Sequence, residues 1–167
     1  IKIGSIGKKL CGKFRPGHFE AVVDVVDRFV RTIKPKKIYF GEKDMQQLRI
    51  IDQYIKKNYK NVKVIGCKTI RENNGIAYSS RNFLLSSIQK TIASKIYKII
   101  KNAKRKLIGK KITLRLIKNK IHELGVTKID YIKILDSDKL KSSYNKKTKC
   151  KIFIAYYLGK IRLIDNI

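Results

Sequence analysis

Lys36-Lys37-Ile38-Tyr39-Phe40-Gly41-Glu42-Lys43-Asp44-Met45-Gln46-Gln47 changes character half-way along. The run Ile38–Phe40 is short, apolar and aromatic, the composition of a strand. Beyond the stretch, Leu48, Ile51 and Ile55 recur at the spacing of one helical face. Strand, turn and a helix from about Asp44 to Lys57 are therefore predicted, with a second strand at Val62–Ile65. Strand–helix–strand of this size implies a parallel βαβ unit. Such sheets hold ligands where strands end and helices begin. Lys43 and Asp44 fall at that place, where backbone N–H groups and the helix dipole favour an anion and lysine adds a full positive charge. Gln47, three residues after Asp44, lies on a neighbouring face of the helix. Gln46 is expected to point elsewhere, into solvent.

Upstream, Val22, Val23, Val25, Val26, Phe29, Val30 and Ile33 mark a helix over Phe19–Ile33, stopped near Lys34-Pro35. The glycine-rich, basic Ile1–Phe14 stretch reads as loop. Within it, Gly7-Lys8-Lys9-Leu10-Cys11-Gly12-Lys13 has P-loop spacing. The next residue, however, is Phe14, where magnesium binding needs a hydroxyl, and no strand precedes the run. Downstream, the connection Thr69–Asn82 ends in Ser79-Ser80-Arg81-Asn82, two hydroxyls and a guanidinium suited to phosphate oxygens. A long lysine-studded helix follows from about Ser86, where Ser86 and Gln89 form a capping box, to about Lys106. A helix over roughly Thr113–Glu123 comes next, then strands at Ile129–Leu135, Lys151–Tyr157 and Ile161–Ile164, the last two joined by a hairpin turn at Gly159-Lys160.

Composition narrows the classes. In 167 residues, 43% hydrophobic content supports a core, and no apolar run reaches the length of a membrane span or a signal peptide. Cys11, Cys67 and Cys150 are isolated and odd in number, which indicates neither a disulfide framework nor a zinc site and fits a reducing cytoplasm. A net charge of +29 would suggest nucleic acid, yet the positive residues are 32 Lys against 9 Arg, dispersed from Lys2 to Lys160. That dispersal reads as a solvated lysine surface set by base composition, with nonspecific polyanion binding as a side effect and no specific nucleic-acid partner.

Five segments in one order resemble the pantoate–β-alanine ligase (pantothenate synthetase) family: Arg15-Pro16-Gly17-His18-Phe19, Phe40 to Gln47, Ile70-Arg71-Glu72, Ser79 to Asn82, and Leu158 to Asn166. The resemblance implies an α/β fold, an incomplete Rossmann-like nucleotide-binding domain over 1–76 followed by a small α+β domain over 77–167. It implies ATP-dependent condensation of pantoate with β-alanine through pantoyl adenylate, with ATP as substrate, Mg2+ as cofactor and a homodimer for the complete protein. By resemblance, Gly41, Glu42, Lys43, Asp44, Ile70, Tyr78, Ser79, Ser80 and Arg81 bind ATP, with Lys43, Ser79, Ser80 and Arg81 catalytic. Gln47 binds pantoate. Arg15 either joins it on the pantoate side or only orients its loop, and Asp44 either caps the helix or contacts the ribose. His18 and His122 read as structural residues, and neither lies in the family's His-x-Gly-His signature. The expectation is thus the later part of such an enzyme, with a first sheet lacking its first strands and doubtful activity alone. A basic nucleic-acid module and an inactive gene fragment are the alternatives. Asn74, Ala21 and Tyr78 depart from the family's usual aspartate, glycine and smaller aliphatic residue.

Overall fold

The computed structural model describes residues 3–107, 114–142 and 149–167. The chain divides into two compact units, Ile1–Lys68 and Thr69–Ile167. The stretch 69–76, expected with the first region, groups with the second.

In the first unit, α1 (Cys11–Phe14) and α2 (His18–Ile33) precede β1 (Lys37–Gly41), α3 (Met45–Asn58) and β2 (Lys63–Cys67). β1 and β2 pair in parallel, Lys37 opposite Lys63 through Gly41 opposite Cys67, so the βαβ unit read from the sequence is present. A 3-10 turn at Glu42–Asp44 leads from strand to helix. Phe19, Val23 and Val30 of α2 and Leu48, Ile51 and Ile55 of α3 are buried. Each such side chain contributes about 1.5–3 kcal/mol of transfer free energy. No residue of β1 or β2 is buried. α2 stops where sequence signals put it: Lys34 takes a left-handed conformation (φ 49°), and Pro35 cannot continue the helix.

The Ile1–Phe14 stretch is not plain loop. Ser5–Lys8 forms a 3-10 turn before α1. Four-residue elements are too short to show a period, and this pair is held by a distant side chain. Gln46 donates from Nε2 to the carbonyls of Ile6 (2.8 Å) and Lys9 (2.7 Å), and its Oε1 accepts from the Cys11 N–H (3.0 Å). Gln46 is consequently buried at 6% exposure, not solvated as expected. A Cβ on Gly12 would lie 1.6 Å from the Gly7 carbonyl oxygen, so this close backbone approach requires glycine.

The second unit contains a 3-10 turn (Ser80–Leu84), α4 (Ser87–Leu107), α5 (Leu114–His122) and an antiparallel sheet ordered β3 (Lys128–Asp136), β4 (Cys150–Leu158), β5 (Ile161–Asn166). The capping box forms: Ser86 Oγ accepts from Gln89 N–H (3.2 Å), and Gln89 Oε1 accepts from Ser86 N–H (3.0 Å). The expected helix start at Thr113 lies outside the described residues. α4 buries Ala93, Ile96, Ile100 and Ala103, and α5 buries Ile117 and Ile121. They share a core with Ile152, Ile154, Tyr156 and Leu158, alternate residues of β4 that point to one face. Gly159 turns the β4–β5 hairpin at φ 59°. In β3 the register shifts between Ile129 and Tyr131, and this irregularity holds Asp130 with a fully buried side chain against Arg162 Nε (2.8 Å).

Candidate functional site

The candidate residues form two groups, one in each unit. In the first, β1 ends at Gly41, where space beside the Cα is open, and the 3-10 turn carries Glu42, Lys43 and Asp44 to the start of α3. Lys43 is half-buried and Asp44 exposed. Asp44 occupies the N-cap position without a side-chain cap bond, so its carboxylate is not committed to the helix. Gln47 is half-buried, and its amide makes no hydrogen bond among the described residues. Arg15 Nη1 lies 2.9 Å from His18 Nε2, which orients the loop ahead of α2. His18 opens that helix, after Gly17 at φ 77°.

In the second unit, residues 70–78 form a tight hairpin with a bridge between Arg71 and Ala77. The Tyr78 N–H donates to the Ile70 carbonyl (3.0 Å), and both side chains are exposed. Ser79 Oγ accepts from the Arg81 N–H (3.2 Å), capping the 3-10 turn, which leaves the hydroxyl hydrogen free to donate. Ser80 and Arg81 are exposed, and the Arg81 guanidinium forms no ion pair among the described residues. His122, at the end of α5, places Nδ1 3.2 Å from the Val126 carbonyl, an ordinary helix-end contact.

The side chains that hold this segment were not read as such from the sequence. Asn82, 4% exposed, donates from Nδ2 to Glu72 Oε1 (2.6 Å) and to the Ala77 carbonyl (3.1 Å). Arg71 pairs twice with Asp165 (2.7 and 2.9 Å) and also donates to the Gly75 carbonyl (3.0 Å). Burial works against the Arg71 charge, and Asp165 together with Tyr97 more than offsets it. Both partners sit in quoted segments, but no periodicity reveals that residues so far apart meet. Asn74 has a local reason. Its Oδ1 accepts from Ile76 N–H (2.9 Å) and its Nδ2 donates to Glu72 Oε2 (3.2 Å), a bond that an aspartate would replace with carboxylate repulsion.

A profile of the pantoate-beta-alanine ligase family matches residues 1–167. The chain belongs to the pantoate–β-alanine ligase family. Pantothenate synthetase of Sulfurihydrogenibium is 37% identical over 100% of this chain and 61% of the relative, and that of Clostridioides difficile is 39% identical over 99% and 60%. Among solved members of the family, pantothenate synthetase from Thermus thermophilus matches with TM-score 0.85 at 30% identity, covering 100% of this chain and 61% of that one. Pantoate-beta-alanine ligase from Francisella tularensis, solved with beta-gamma ATP and beta-alanine, matches with TM-score 0.80 at 37% identity, over 100% of this chain and 56% of that one. The chain thus spans about 60% of the length of the curated family members it matches. The α/β reading agrees with these folds.

Proposed function

We propose that this chain carries the phosphate-facing and pantoate-facing residues of a ligase that condenses pantoate with β-alanine at the expense of ATP. The observation that carries the reading is the contrast between adjacent glutamines. Gln46 commits its whole amide to the fold, whereas Gln47, four residues beyond Lys43, keeps its amide free for a ligand. The family match and the Francisella ligase's complex support it.

In the reaction, the pantoate carboxylate attacks the α-phosphorus of ATP, the bond to the bridging oxygen breaks and pyrophosphate leaves, giving pantoyl adenylate. The β-alanine amine then attacks the acyl carbon, loses a proton and expels AMP. Substrates supply both nucleophiles, so the protein's task is charge neutralisation and alignment. Lys43 offsets charge developing on pyrophosphate. Ser79, Ser80 and Arg81 donate to phosphate oxygens, the arginine fork in bidentate fashion. With the Ile70 carbonyl and Tyr78 N–H bonded to each other, the Ile70 N–H and Tyr78 carbonyl remain for adenosine. Gln47 holds pantoate, and Arg15 supports that side through its loop. The uncommitted Asp44 carboxylate would suit Mg2+, because this ion asks for only one or two carboxylates beside substrate phosphates. Bound there, it would neutralise triphosphate charge. The reading carries with it a cytoplasmic homodimer without a specific nucleic-acid ligand.

The test has two arms. The 167-residue chain alone, which lacks a His-x-Gly-His run, is expected to give no turnover in a pyrophosphate-release assay. Supplied with the part of a family member that it does not span, Lys43→Ala should slow single-turnover adenylate formation by about 2–4 kcal/mol of lost transition-state stabilisation. Gln47→Ala should act chiefly on the pantoate Michaelis constant. Lys56, exposed on α3 and paired among the described residues only with Asp52, is the control. Equal behaviour of Lys43→Ala and Lys56→Ala would reduce Lys43 to a surface charge.

A further inference from the structure

A second group of cations lies in the second unit, at the turn end of the 70–78 hairpin, opposite its open end at Ile70 and Tyr78. Lys98, Lys101, Asn102 and Arg105 recur on α4 at helical spacing and face Asn73, Asn74 and Gly75 across a cavity of about 550 Å³. Tyr97 forms part of the wall, with Arg71 over its ring at 4.6 Å and Lys101 at 5.5 Å. A Cβ on Gly75, at φ 92°, would lie 2.2 Å from the Tyr97 ring, so turn and helix are in contact at the wall.

The charges here do not cancel. Arg71 is matched by Asp165, and both oxygens of Glu72, the one acid in the lining, receive amide hydrogens from Asn82 and Asn74. Lys98, Lys101 and Arg105 are exposed and form no ion pair among the described residues. Like charges on one helical face repel at this spacing, a cost that a bound anion would turn into attraction.

We propose that this cavity is a binding site for a compact polyphosphate, a small molecule bearing two or three linked phosphates. The volume falls within the range of small-ligand sites. Three ammonium or guanidinium groups on one wall match several phosphates, and the amides of Asn73, Asn74 and Asn102 add neutral donors around them. A nucleic-acid backbone would instead track an open stripe. The proposal does not depend on the ligase reading, since it uses none of those residues.

The test is calorimetric titration of inorganic tripolyphosphate into the chain carrying Lys43→Ala and Arg81→Ala, which removes the other phosphate-facing cations. One saturable site is expected. Combined Lys98→Gln, Lys101→Gln and Arg105→Gln should weaken it tenfold or more, with a thermal unfolding temperature no lower than the parent's, because all three side chains are exposed and repel one another. Combined Lys95→Gln, Lys118→Gln and Lys120→Gln removes the same charge from exposed positions outside the cavity and should change affinity less than twofold. Lys101→Arg should retain binding. Equal weakening by both triple variants, absence of a saturable site, or a site that takes a single-stranded oligonucleotide but not tripolyphosphate would overturn the proposal.

Discussion

Replacing Gln46 by alanine would remove three hydrogen bonds, those to the Cys11 N–H and to the carbonyls of Ile6 and Lys9, and leave these carbonyls only their turn bonds from the Lys9 and Gly12 N–H groups. Each lost bond is worth about 0.5–1.5 kcal/mol net, so a total loss of about 2–4 kcal/mol is expected in chemical denaturation. The Cys11 amide should also lose hydrogen-exchange protection; an unchanged midpoint would show that the N-terminal turn holds itself. The pair Gln46–Gln47 marks the limit of reading at this scale. The role proposed for Gln47 rests on its place in a short motif, which a sequence displays directly. That of Gln46 was not, because its partners lie 35 to 40 residues away and a glutamine carries no sign of which backbone it will meet.

Between α2 and α3 the deciding contact is also polar. Asp27, 6% exposed on α2, accepts from Tyr54 Oη (2.8 Å) and from Tyr59 Oη and pairs with Arg31 Nε (2.7 Å). Burial pushes its carboxyl up, but the bonds from Tyr59, Tyr54 and Arg31 outweigh it, and the net shift is downward from 3.8. A carboxyl with a lowered folded value stabilises above its ordinary value and loses that contribution as pH falls through the lower one. Tyr54 is pushed up to about 12, first by burial and then by Asp27. Its contribution is complete below the ordinary tyrosine value of 10 and is lost as pH rises through about 12. Urea midpoints of Tyr54→Phe and the parent should therefore converge toward the acid and alkaline extremes and differ most between them. A constant difference across pH would remove the titration argument. Elements of this length were readable: α2, α3 and α4 each show an apolar face over three or more turns, and the β4–β5 hairpin shows its glycine. α1 and the 3-10 turns were not, since four residues cannot display a period of 3.6.

At the scale of the molecule, the two units differ in how much they bury. The first has a two-stranded sheet with no buried strand residue, whereas the second packs two helices on a three-stranded sheet whose central strand is buried from Ile152 to Tyr156. Two strands are marginal in water, and three with a covered face are not. Native-state hydrogen exchange should show β4 amides protected well above those of β1 and β2; one common level would contradict this. The charge of +29 says little about fold, and dispersed over 32 lysines it does not single out any one cation; only the motif around Lys43 does. Arg71, close to the start of the second unit, grips Asp165 and the Asn166 carbonyl, close to its end. A polypeptide whose beginning and end are clasped by one guanidinium is closed before any linker joins it. The second unit is therefore suited to transplantation into a surface loop of an unrelated host, where the short gap between its ends would let the chain enter and leave at almost the same point.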